Sequence, residues 1–272
     1  MTFTTFFYNF VVDWKSGKEC EVRMKQVVKV LFVLLSVISL NVYADEAFYT
    51  NDNGVSLTEQ EYNFFTNMYW DGFQEYVDNT LYNKYASMGL YDKEVHITVN
   101  DIASTSNSSQ NYGLIHETTA KKLQLSYGCN GVYCTMVTSL QWKGTPTIRS
   151  YDVIGSLLDG NLNRLSTPMT KLYWSGSTIT YTDRVYSGDG YGCTVLLQNS
   201  STNMRIVQDV DLEITGNGIF FSSYQHATSN ITLETSKKYT VRFGGYGGVF
   251  AFYGSAVGIY DHMAGVDAEL SL

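Results

Sequence analysis

The side chains able to do chemistry are few and scattered. Four histidines occur, His96, His116, His226 and His262, and none stands beside another at metal-ligand spacing. His226, in Tyr224-Gln225-His226-Ala227-Thr228, follows a strongly apolar run and is expected at the end of a strand. Asp152, in Arg149-Ser150-Tyr151-Asp152-Val153-Ile154-Gly155, is a charge inside an apolar strand. Such a carboxylate is either paired, with Arg149 in reach, or turned to solvent. Asp261-His262 is a second acid–histidine pair, expected in a loop between strands. A Cys193–His couple would make an activated thiol, but no spacing supports one. Glycoside hydrolysis needs two carboxylates about 5–10 Å apart, a placement that only the fold decides.

The known catalytic strings do not fit. H-E-x-x-H is absent, and Gly254-Ser255-Ala256-Val257-Gly258 misses the G-x-S-x-G elbow by one position. Gly244-Gly245-Tyr246-Gly247-Gly248 lies between strand-like segments, so it reads as a kink or turn rather than a phosphate loop. Fitting Asn51-Asp52-Asn53-Gly54 to a calcium loop puts Tyr49 and Gln60 where carboxylates are essential. No residue is therefore assigned a catalytic or metal-binding role, and no cofactor is expected. Aromatic side chains offer stacking surface for sugars and anchors for proteins. The ligand-binding candidates are Trp142, Tyr173, Trp174, Tyr246 and Tyr253, with His226 and Asp152 as polar members.

These residues must be positioned by strands. From residue 113 onward, apolar alternation and polar turns recur at short spacing, the pattern of an antiparallel β-sandwich, with a barrel as second choice. Asn130-Gly131 between "KKLQLSYGC" and "VYCTMVTSLQWK" marks a hairpin, and Asn217-Gly218 a second. "ITLETS" reads as a strand, and Met204–Thr215 as a strand with a bulge near Val207. Cys129 and Cys134 bracket four residues, so a local disulfide is feasible; Cys193 competes for either partner. Residues 45–100 form a small helical segment and a first strand. There Ser56 and Glu59 fit a capping box, and Tyr62, Phe65 and Tyr69 fall on one helical face. A second helix ends near Gly89. Residues 101–112, "DIASTSNSSQNY", read as a loop or linker before the β domain of 113–272.

The compartment follows from the start of the chain. Val30 to Leu40 is an eleven-residue apolar run, short of the about 20 residues a membrane helix needs. Lys25 and Lys29 precede it, and Asn41-Val42-Tyr43-Ala44 follows with small residues at the cleavage positions. Residues 24–44 thus read as a signal peptide cut after Ala44, and residues 1–23 as a doubtful leader, with Met24 as the expected initiator. Residues 1–44 hold five basic and three acidic residues. The remaining 13 Lys+Arg against 23 Asp+Glu leave a net charge of −10. That excess disfavours nucleic acid and anionic membrane as partners. N-x-[ST] sequons at Asn107, Asn199 and Asn230 matter only in a host that glycosylates exported chains.

Four stretches, "NDNGVSLTEQEYNFF", "WKGTPTIRSYDVIG", "YQHAT" and "GGYGGVFAFYG", together resemble segments of uncharacterised exported proteins of Gram-positive bacteria. The resemblance implies export and brings no catalytic residues with it. The resulting expectation is a secreted, non-enzymatic binding or interaction protein whose partner is a surface glycan or protein. An extracellular glycan hydrolase is the alternative, and a membrane-active β protein the further one.

Overall fold

The computed structural model of the protein describes residues 48–69, 76–97, 115–174, 176–198, 204–245 and 248–272. All fall within one compact unit, Ala47–Leu272. The leader, the signal-peptide reading, the 101–112 linker, Tyr246, Asn107 and Asn199 lie outside the described residues.

The architecture is mainly antiparallel β. In chain order the elements are β1 (Tyr49–Thr50), β2 (Ser56–Leu57), α1 (Glu59–Tyr69), α2 (Asn79–Met88), β3 (Val95–His96), β4 (Ile115–Glu117), β5 (Lys121–Asn130), β6 (Tyr133–Trp142), β7 (Tyr151–Arg164) and β8 (Met169–Trp174). There follow β9 (Ser177–Tyr181), β10 (Arg184–Ser187), β11 (Gly190–Leu196), β12 (Arg205–Gln225), α3 (Leu233–Ser236), β13 (Tyr239–Gly245), β14 (Gly248–Phe252) and β15 (Val266–Leu270).

β12 organises the rest. Its first half pairs with β6 on one side and β8 on the other; its second half pairs with β7 and β15. Thr138, which is opposite Gln208 in the first half, donates to Ser222 Oγ in the second half at 2.8 Å. Fourteen residues of straight strand separate Gln208 from Ser222, about 46 Å. The ladder must therefore double over. It does so at the bulge between Ile214 and Gly218, so two sheets face each other. The order β10-β11-β7-β12-β6-β5-β3 is open at both ends, a sandwich and not a closed barrel.

Alternation then sets three apolar layers. Between the sheets lie Leu140, Ile154, Leu158, Ile206, Val210, Leu212 and Phe220. On the outer face of the first sheet, Val137, Tyr173 and Val207 pack with Phe64, Phe65, Met68 and Tyr85 of α1 and α2. On the outer face of the second sheet, Val153 and Leu157 pack with Tyr239, Val241 and Phe250 of the β13–β14 hairpin. Sequence alternation breaks at Ile206-Val207 because both faces are covered. No bulge sits there.

Several local readings change. Asn130-Gly131 does form the β5–β6 hairpin, with Gly131 at φ 61°, and Cys129 lies directly across from Cys134 as a disulfide with Cα atoms 4.1 Å apart. Asn217-Gly218 makes no hairpin, because neighbouring strands hold both sides of β12 and the dipeptide becomes part of the bulge. "ITLETS" is not a strand: Thr232 accepts from the Thr235 amide at 3.2 Å and caps the single turn α3. The capping box lies two residues later than expected. Thr58 Oγ1 accepts from the Glu61 amide at 3.3 Å, and Glu61 accepts from the Thr58 amide at 2.9 Å. Asn51 Oδ1 accepts from the amides of Asn53 and Val55, so the Asn51–Gly54 stretch is an Asx turn.

The helices are fixed through Asp209, buried on the outer face of the first sheet. Tyr69 donates to it at 3.1 Å, and the hydroxyls of Tyr69 and Tyr85 are 2.5 Å apart. Burial raises Asp209 from an ordinary 3.8 to about 6; Lys84 opposes the rise and Asp211 adds to it. The folded protein therefore holds this proton to higher pH than the unfolded chain does, and stability falls as pH rises from about 4 through 6. The full penalty above pH 6 is about 3 kcal/mol. Asp209→Asn lacks it. The unfolding free energy of the variant minus that of the wild type should rise by this order between pH 4 and 7; a difference flat with pH contradicts the assignment.

Candidate functional site

One polar cluster brings together three of the singled-out residues. β7 places Asp152 in phase with Ile154 and Leu158, so its side chain enters the space between the sheets, where it is fully buried. β12 places Tyr224 on the same inner face, and His226 follows its last residue. The Tyr224 hydroxyl donates to Asp152 Oδ2, and the Ala227 amide donates to Oδ1 at 2.9 Å. His226 Nδ1 is 3.0 Å from both oxygens. Arg149 is not the partner, and Asp152 does not face solvent. Burial raises the Asp152 pKa, and the His226 contact partly offsets it. Burial, then the neighbouring Asp152 charge, holds the Tyr224 hydroxyl well above its usual value.

A second carboxylate joins through the backbone. The His226 amide donates to Asp261 Oδ1 at 2.9 Å, and the Asp261 amide donates to the His226 carbonyl at 2.9 Å. Asp261 Oδ2 meets Lys121 Nζ. Lys121, 5% exposed, opens β5 directly opposite Trp142 at the end of β6. Its Nζ lies 5.3 Å from the ring centres of both Trp142 and Tyr224. The Trp142 and His226 rings meet edge-on at 4.7 Å.

This arrangement is closed rather than poised. Asp152 is fully buried with a donor on each oxygen, which closes it to a substrate, and both oxygens of Asp261 are engaged by Lys121 and the His226 amide, so the two carboxylates do not face each other across an open cleft. Cys193 is buried in the inter-sheet core, and burial pushes its thiol up to about 11, the opposite of an activated nucleophile. Among the described residues, no three His, Cys, Asp or Glu side chains are grouped as a metal site.

The aromatic candidates separate. Trp142 and Tyr173 are 5% and 7% exposed, so both are core residues closed to a ligand. Alternation at an apolar period placed them there. Trp174 is half-buried against the inter-sheet core. Tyr253 is 52% exposed, just past β14. Lys121 and Tyr224 were not assigned to a site from sequence, and Asp261 stood out there only as the neighbour of His262. Lys121 had one legible signal: it is in phase with Leu123 and Leu125, which marks it as inward-facing.

The open aromatic surface is elsewhere, on the outer face of the second sheet. Phe243 of β13, 47% exposed, meets the Phe221 ring edge-on at 4.9 Å. Asp267 of β15 is register partner to Phe221, and Glu269 to Ile219, so two carboxylates line the same face. Burial, then Glu269, raises Asp267 to about 6.

No family model matches the sequence, and no curated protein does. Among solved structures, the collagen-binding domain from a Staphylococcus aureus adhesin aligns at 7% identity and TM-score 0.28, covering 61% of this chain and 100% of that one. The collagen-binding domain of Erysipelothrix rhusiopathiae surface protein RspB aligns at 6% identity and TM-score 0.29, covering 65% of this chain. The chain spans 59% of that second protein's length.

Proposed function

We propose that the protein is an exported, non-enzymatic binding protein that takes an extracellular glycan or protein segment on the outer face of its second sheet. The observation that carries this reading is the exposed Phe243 ring set against half-buried Phe221, beside Asp267 and Glu269. Apolar rings covered by a ligand, with carboxylates accepting from its hydroxyl or amide groups, form a usual recognition surface. The closed state of the Asp152–His226–Asp261 cluster supports binding over hydrolysis. Export is supported by the 24–44 segment. No helix among the described residues is long and apolar enough to cross a membrane.

The experiment is a titration of the purified protein against surface glycans and surface-protein extracts. Phe243→Ala should weaken binding by about 2 kcal/mol, roughly 30-fold, since a central exposed ring carries much of such an interface. Its Tm should move little, because the ring is half in water. Equal binding by wild type and variant would remove this face from the account.

A further inference from the structure

Lys121 is a buried ammonium with too few acceptors. It has three N–H donors, and among the described residues Asp261 Oδ2 is its one polar partner; its other neighbours at the site are the faces of Trp142 and Tyr224. A lysine this buried is rarely left so poorly solvated. We propose that Lys121 Nζ and Asp261 Cγ are joined by an intramolecular isopeptide bond, formed by condensation within the folded protein. The amide removes both charges and two of the three N–H donors from the site, so the desolvation cost disappears with them.

The geometry supplies what the reaction needs. One proton moves from Nζ to Oδ2 along their contact, giving a neutral amine and a neutral acid. The amine attacks Cγ. Charge develops on Oδ1, which already accepts from the His226 amide at 2.9 Å, so that N–H stabilises the tetrahedral oxyanion. The Cγ–Oδ2 bond then breaks. Oδ2 leaves as water with the transferred proton and one more from nitrogen. The ammonium and carboxylate thus become one amide and one water, with no oxidant or other co-reactant. The Asp261 backbone is fixed because its own amide is held by the His226 carbonyl, and its side chain is held by the His226 amide on Oδ1. Fixed neighbours of this kind replace a bimolecular encounter with an effective molarity of about 10⁵ M or more. Asp152 is a positioning residue: through the Ala227 amide and the His226 ring it holds the backbone that holds Asp261.

The two residues are 140 positions apart, one on β5 of the first sheet and the other in the loop before the last strand of the second. The bond would tie the sheets together at one end of the sandwich.

Peptide mapping of the purified, denatured protein by mass spectrometry tests this. The expected result is a branched peptide containing Lys121 and Asp261, lighter than its two parts by one water, about 18 Da, with trypsin unable to cut after Lys121. Lys121→Arg and Asp261→Ala should each abolish the branched species. The map is read on unfolded chains, so a poorly folding variant does not obscure the wild-type answer. Linear Lys121 and Asp261 peptides in the wild type, with no linked form, would overturn the proposal.

Discussion

Asp152→Ala should be the most destabilising single change at the polar cluster, costing about 3–5 kcal/mol in urea unfolding. The substitution does more than delete one carboxylate. It strands the buried Ala227 amide and Tyr224 hydroxyl and the part-buried His226 Nδ1, each without its acceptor. Such a loss is a large part of the 5–15 kcal/mol that keeps a domain folded. Asp152→Asn is the informative companion. Its amide oxygen can still accept from Ala227, and its NH₂ can donate to His226 Nδ1, so its cost should be less than half that of alanine. A loss below about 1 kcal/mol for Asp152→Ala would mean that the buried acid is not the clasp described.

Gly190→Ala should be similarly harmful for a steric reason. The outer face of the second sheet lets the β13–β14 hairpin approach its backbone, and a Cβ at Gly190 would lie 2.6 Å from Val241 Cβ and 2.7 Å from the Val241 carbonyl oxygen. At Gly192 the added carbon would run into the Tyr239 ring. Backbone at Val241 cannot rotate away as a side chain could, so the hairpin must lift. The expected cost is about 3 kcal/mol, at the upper end for overpacking. Near-ultraviolet dichroism should change as Tyr239 and Phe250 lose their packed setting. Gly188→Ala is a useful contrast, because space around that position is open and only its positive φ of 58° is strained. A larger loss at 188 than at 190 would contradict close approach as the reason for glycine in β11.

How much of this was readable depends on range. Asn130-Gly131 announced its hairpin because the turn and both strands are contiguous, and Cys129 and Cys134 flank the same turn. The same dipeptide at Asn217-Gly218 was misread. There β7 and β15 hold the chain on both sides, a condition set by residues more than 50 positions away. Likewise Thr232, Thr235 and Ile231 favour a strand by propensity, yet a local side-chain cap turns the segment into helix. Asp152 and His226 each stood out alone. Their pairing across 74 residues left no periodic trace. Trp142 is in phase with Met136 and Leu140 and turns inward as alternation predicts, whereas Tyr173 is buried on the outer face of its sheet, where the helices' cover hides the usual inside–outside alternation.

The central claim is that this protein captures an extracellular ligand without transforming it. Incubation of the purified protein with surface glycans and surface-protein extracts, followed by mass analysis of what is bound and what is released, tests it directly. The account predicts saturable binding, with the ligand recovered at its original mass after prolonged incubation. Cleaved ligand, or no retention of either class, would contradict it.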